Sequence, residues 1–165
     1  MAPFTLRSDS FEDGQTLPAA HRGAATGPGA KDASPPLSWA GAPAGTRSFA
    51  VTAFDPDAPG RGGFWHWAVL DIPADATSLP AGAGSKHGSG LPPGAFQLRN
   101  DGGSTGYFGA APPRGHGPHH YVFTVYALDV ESCGLDAGAS PATLEARLGR
   151  HILARAGLTG VYERH

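Results

Sequence analysis

Residues 48–59 read SFAVTAFDPDAP, an apolar run that ends in two aspartates and two prolines. Residues 48–54 have the composition of a strand, and each residue before a proline is restricted to extended backbone. Two further runs predict strands: residues 64–72, which are apolar on both faces as in a central strand, and residues 119–129. Polar residues border these runs, so the ends of the strands are the first place to look for chemistry.

Composition restricts the class of protein. The 165 residues suffice for one domain, residues 1–165, with a substantial core, and 25 glycines and 16 prolines indicate many turns between short strands. The 12 Lys and Arg residues nearly balance the 14 Asp and Glu residues without forming a basic stripe, which argues against nucleic-acid partners. Cys133 is the only cysteine, no segment could span a bilayer, and no signal-peptide pattern opens the chain, so we expect a cytoplasmic protein.

One helix is predicted, over residues 140–157. Ser140-Pro141 suits a helix start, and Leu144, Leu148 and Ile152 repeat on one helical face. A long glycine-rich passage over residues 74–105 predicts a functional or mobile loop. The predicted architecture is a mostly β, antiparallel sandwich with this late helix packed on its side.

Strand alternation indicates which polar side chains can meet. His119 shares a face with Tyr121, whereas His120 points to the other face. Asp55 follows directly on the strand that ends at Phe54. On the strand of residues 64–72, the same rule places His66 on one face, together with Phe64, Ala68 and Leu70.

If the strand ends meet at one edge, they bring together Asp55, His66, His119 and Tyr121. Imidazole and phenol groups can donate hydrogen bonds to an oxyanion, and a neighbouring carboxylate favours protonated imidazole. Backbone N–H groups of residues 109–115 could add donors. The alternatives are that the histidines are satisfied core residues and that residues 55–57 form a simple Asx-type turn.

A metal site is a second interpretation of the same residues. Asp55, His66 and His119 have the composition of a two-histidine, one-carboxylate centre of a metal-dependent enzyme. His116, His119 and His120 could instead form a surface site, although neither set has a strong spacing signature. The chain has no Walker loop and no cysteine–histidine nucleophile pair, and Ser104 and Thr105 are interpreted as glycine-flanked turn residues, so we expect no catalytic nucleophile and no cofactor.

These motifs resemble the phosphatidylethanolamine-binding protein family, in particular its bacterial branch related to the Raf kinase inhibitor. The resemblance rests on residues 55–59, the block around His66, residues 106–113 and residues 119–121, and it covers most of residues 4–130. It implies a Greek-key β-sandwich with a small anion pocket for phosphate or a phosphoethanolamine-type head group. One departure is His120, which stands where the family usually has arginine.

The resemblance also implies a set of site residues and partners. A kinase or protease partner and a homodimer are implied as well, and Ala58-Pro59 is expected to be a cis peptide. The anion pocket is expected to involve Asp55, Asp57, His66, Gly109, Ala111, His119 and Tyr121.

Overall fold

The computed structural model describes residues 3–60 and 62–165, and this part of the chain contains eight strands and one short α-helix. The strands are β1 (Thr5–Arg7), β2 (Leu37–Ala40), β3 (Ser48–Asp55), β4 (Phe64–Pro73), β5 (Ser78–Leu79), β6 (Phe96–Gln97), β7 (His119–Leu128) and β8 (Ile152–Tyr162). Helix α1 spans Leu144–Leu148, and short 3-10 helices span Ala19–His21, Ala24–Thr26, Pro141–Thr143 and Gly149–His151.

Two antiparallel sheets form the sandwich. The smaller has the strand order β1-β2-β5 and the larger β6-β4-β3-β7-β8. The alternation of β3 and β7 explains the layering, since each strand sends every second side chain into the space between the sheets. The predicted mostly β sandwich is therefore confirmed.

The larger sheet buries both of its faces. Between the sheets, Trp39 of β2 packs with Trp67 and Phe123 of the large sheet. On the outer face, Leu144 and Leu148 of α1 pack in a second cluster, with Ala50, Ala68, Leu70 and Leu128 of the sheet. Burial of each large apolar side chain contributes about 1.5–3 kcal/mol.

The predicted helix is much too long. It ends at Leu148, and Ile152 begins strand β8, which pairs with β7 along nearly its whole length. Without β8, the backbone groups along one side of β7 would have no ladder partners. Ile152 still packs in the outer cluster with Leu148, but it reaches that cluster from a strand.

Residues 74–105 are anchored at several points. They include β5 and β6, and Leu98 is fully buried. The buried Asn100 side chain accepts hydrogen bonds from the backbone N–H of Gly102 and donates to the carbonyl of Gly106. Within the described residues, no helix is long and apolar enough to cross a membrane.

Candidate functional site

A pocket of about 190 Å³ opens where β3, β4 and β7 come together at one end of the large sheet. Among the described residues, its polar lining consists of four that the sequence singled out: Asp55, His66, His119 and Tyr121. The other lining side chains are apolar, and the sequence reasoning named only Ala111 among them as a site residue. They are Ala58, Pro59, Phe64, Phe108, Ala111, Pro112 and Pro113.

Polar residues alone do not indicate these apolar walls, so the sequence pattern does not single out Phe64 or Phe108 as site residues. Phe64 and Phe108 pack against each other with ring centroids 5.5 Å apart, and both lie within 6.1 Å of the His66 ring. The available signal is their position in the sequence: Phe64 lies two residues before His66, and Phe108 directly precedes Gly109. No peptide bond in the described residues is cis, so the expected cis bond at Ala58-Pro59 is wrong.

Asp55 and His119 form the buried base of the pocket. Nδ1 of His119 donates to Oδ2 of Asp55 at 2.6 Å, and the two residues are only 1% and 2% exposed. The other carboxylate oxygen of Asp55 accepts the backbone N–H of Asp57 at 2.7 Å. The remaining ring nitrogen of His119, Nε2, lies 2.6 Å from Nδ1 of His116. Every hydrogen-bonding atom of this buried pair therefore has a partner.

One ring nitrogen of His66 is held in a hydrogen bond, and the other has no partner among the described residues. Its Nδ1 donates to the carbonyl of Phe108 at 2.6 Å, and its ring meets Tyr121 edge-on at 5.2 Å between centroids. Burial lowers the pKa of His66, against smaller opposing effects of the Phe108 hydrogen bond and the charge of Asp55. The ring is therefore neutral at neutral pH, with Nε2 as a hydrogen-bond acceptor.

A β-bulge places His66 in the pocket. Asp55 pairs with Phe64 and Phe54 with Trp65, but Ala53 pairs with Trp67, so His66 is the extra residue. His66 does share a face with Phe64, as predicted. The prediction that it shares a face with Ala68 and Leu70 is wrong: the inserted residue reverses the alternation, and those two side chains lie in the outer cluster.

Neighbouring loops support the bulge from its open edge. The backbone N–H of Trp65 donates to a carboxylate oxygen of Asp101 at 2.8 Å, and the N–H of Asp101 donates back to the Trp65 carbonyl at 2.9 Å. The N–H of Phe108 donates to the carbonyl of His66 at 2.9 Å. Asp101, within residues 74–105, and Phe108 thus fix the backbone that carries His66.

Tyr121 supplies the hydroxyl of the pocket. Burial raises its pKa, and the nearby negative charge of Asp55 adds to the effect. The hydroxyl therefore keeps its proton throughout the neutral range and can donate to an oxygen of a ligand.

Asp57 and Gly109 lie close to the pocket but not in its lining. Oδ2 of Asp57 accepts hydrogen bonds from the backbone N–H and from Nδ1 of His120, at 2.8 and 2.7 Å. The pKa of Asp57 is lowered, chiefly by its side-chain hydrogen bond with His120. The N–H of Gly109 donates to Oδ1 of Asp32 at 2.9 Å, so it serves a neighbouring loop.

His120, which stands where the resemblance leads us to expect arginine, has a defined position. His120 is about half exposed and pairs with Asp57, on the opposite side of β7 from the pocket residues. An arginine there could form a two-pronged pair with the same carboxylate, which a single imidazole cannot.

The metal interpretation finds no ligand set. Among residues 3–60 and 62–165, no group of three or more His, Cys, Asp or Glu side chains is arranged to hold a metal ion. Both nitrogens of His119 and both oxygens of Asp55 are already in hydrogen bonds, as are His116 and His120. The site thus has the features of a small binding pocket, with apolar walls and convergent hydrogen-bonding groups.

Comparison with known proteins agrees with this description. The family model described as phosphatidylethanolamine-binding protein matches residues 7–163. YbcL of Escherichia coli K12 is 45% identical over 162 residues, which cover 98% of this chain and 88% of YbcL. YbhB of the same organism is 46% identical over 157 residues, covering 95% and 98%. The crystal structure of YbcL superposes with a TM-score of 0.94 at 44% identity, covering 99% of this chain and all of that one. The chain belongs to the phosphatidylethanolamine-binding protein family.

Proposed function

We propose that this protein is a non-catalytic binding protein whose pocket holds a phosphate or carboxylate group of a small ligand or of a phospholipid head group. The observation that carries the proposal is the convergence of His66, His119 and the Tyr121 hydroxyl on one pocket of about 190 Å³.

Asp55 has a specific part in this proposal. A bare carboxylate would repel an anion, but Asp55 is bound to His119 at 2.6 Å, and a protonated imidazole would neutralise it. Tyr121 and a protonated His66 would then supply donors to the oxygens of the ligand. Among the described residues, no serine, threonine, cysteine or lysine lines the pocket, and both oxygens of Asp55 are held in hydrogen bonds, which favours binding over nucleophilic catalysis.

An NMR titration tests the proposal. Histidine imidazole signals are followed while inorganic phosphate, phosphoethanolamine or acetate is added to metal-free protein. We expect saturable shifts of the His66 and His119 signals, and loss of binding in His66→Ala. His87→Ala, which removes an exposed histidine in residues 74–105, is the matched control and should bind like the unmodified protein. If none of the three anions shifts any histidine signal, the proposal is wrong.

Two further experiments distinguish a lipid head group from a free metabolite as the ligand that carries the anion. Vesicles that contain phosphatidylethanolamine test a lipid head group, and soluble phosphoethanolamine tests a free metabolite. Kinase or protease modulation, a homodimer and a cytoplasmic location stay predictions that follow from the family resemblance and the composition. Enzyme inhibition assays, analytical ultracentrifugation and cell fractionation, respectively, would test them.

A further inference from the structure

His119 is the pocket histidine with no free nitrogen. Its Nδ1 is bound to Asp55, and its Nε2 lies 2.6 Å from Nδ1 of His116. His119 is 1% exposed, whereas His116 is exposed on the loop before β7. A surface histidine thus occupies the only position on His119 that a ligand could use.

Because Nδ1 of His119 donates to Asp55, Nε2 can donate only when the ring carries a second hydrogen, and that one hydrogen cannot serve both His116 and a ligand equally well. If Nε2 of His119 is to donate to an oxyanion, it has to give up its hydrogen bond with His116. We propose that His116 is a built-in competitor, which covers Nε2 of His119 in the free protein and sets the affinity of the pocket for anions. This inference rests on the proposed anion-binding function.

The loop allows the His116 ring to leave while its backbone stays in place. On one side, the N–H of Gly115 donates to the carbonyl of Arg164 at 2.8 Å, and the Arg114 side chain donates to the carbonyl of His165 at 3.1 Å. The N–H of His116 itself closes a turn to the carbonyl of Pro113 at 3.2 Å. Rotation about the side-chain bonds of an exposed residue is therefore enough to uncover His119.

Release of His116 has a limited and measurable cost. The ring is at the surface, so water can satisfy Nδ1 after it turns away, and the net loss is that of one ordinary hydrogen bond. Removing the competitor should then tighten anion binding about fivefold, which corresponds to about 1 kcal/mol.

The test compares three substitutions by calorimetric titration with inorganic phosphate at one pH. His116→Ala removes the competing nitrogen and should bind phosphate about fivefold more tightly. His116→Asn keeps an acceptor close to the position of Nδ1 and should bind like the unmodified protein. His151→Ala serves as the control, because it removes a histidine outside the pocket, one that pairs with Asp129 at 2.9 Å.

The outcomes separate the two proposals. If the unmodified protein binds phosphate and His116→Ala binds it equally or more weakly, the proposal that His116 competes with anions is wrong. The proposal that the pocket binds anions is then unaffected. If neither the unmodified protein nor any variant binds phosphate, both the proposed function and the proposed competition by His116 are wrong. The ¹⁵N signal of Nε2 of His119 in ligand-free protein gives an independent readout: it should move in His116→Ala and much less in His116→Asn. An unmoved signal in His116→Ala overturns the contact.

Discussion

His66 connects ligand binding to pH through a single nitrogen. Burial lowers its pKa below the ordinary value of 6.5, so Nε2 carries no proton at neutral pH. A bound anion would favour the protonated ring, which raises the pKa in the complex. Anion binding should therefore be coupled to uptake of a proton by this residue.

Sulfate is the sharper probe of that coupling, because it has no proton to donate in the neutral range and phosphate has. We expect sulfate affinity to be highest below the pKa of His66 in the free protein and to fall as pH rises above it. Calorimetry in two buffers with different heats of ionisation should detect the proton taken up. In His66→Gln the coupling should vanish. A sulfate affinity that does not change with pH would contradict the mechanism.

At the scale of elements, β4 explains both the success and the limit of sequence reasoning. The apolar runs and their polar ends predicted β3, β4 and β7, and with them Asp55, His119 and Tyr121. The position of His66 could not be derived in full, because its bulge depends on pairing with Ala53 and Phe54. Alternation holds only along an uninterrupted ladder.

The end of helix α1 has a similar explanation. Leu144, Leu148 and Ile152 satisfy a helical repeat, whereas Ala154, Ala156 and Leu158 alternate as in a strand. The local pattern supports both structures. Residues 152–162 form a strand because they pair with the side of β7 that does not face β3. Such long-range pairing is absent from a local pattern.

Gly109 belongs to an interface between two loops. A Cβ added there would lie 2.4 Å from Oδ1 of Asp32 and 2.5 Å from backbone atoms of Arg22 and Gly23. Because backbone atoms cannot turn aside, we expect Gly109→Ala to lower the free energy of unfolding by about 1–3 kcal/mol in urea titrations. In the control Gly157→Ala, the nearest atom would be 3.7 Å away, and the unfolding free energy should hardly fall. Equal stability of the two variants would contradict this role.

At the scale of the whole molecule, the pocket is assembled from distant parts of the chain. Asp55 meets His119 across 64 positions, and His66 meets Phe108 across 42. Because the large sheet is buried on both faces, these strand ends have little freedom to move apart. The site therefore forms only when the chain folds, and the burial of its histidines is a property of the folded state.

The stability of the protein should therefore depend on pH. Burial lowers the pKa of both His21 and His66, so below about pH 6.5 the unfolded chain binds protons that the native state does not. Stability should fall as pH falls from 6.5 toward the lowered values, by up to about 1.4 kcal/mol per pH unit for each proton. Asp57, whose pKa is lowered from 3.8, contributes only in more acidic solution.

Urea unfolding at a series of pH values measures this slope. His66→Gln keeps a donor for the carbonyl of Phe108 but cannot titrate, so its stability should decline less steeply with acid than that of the unmodified protein. His87→Gln changes an exposed histidine and should leave the slope unchanged. If His66→Gln and the unmodified protein lose stability in parallel, His66 is not held neutral by burial, and the proton-coupled binding argued for it loses its basis.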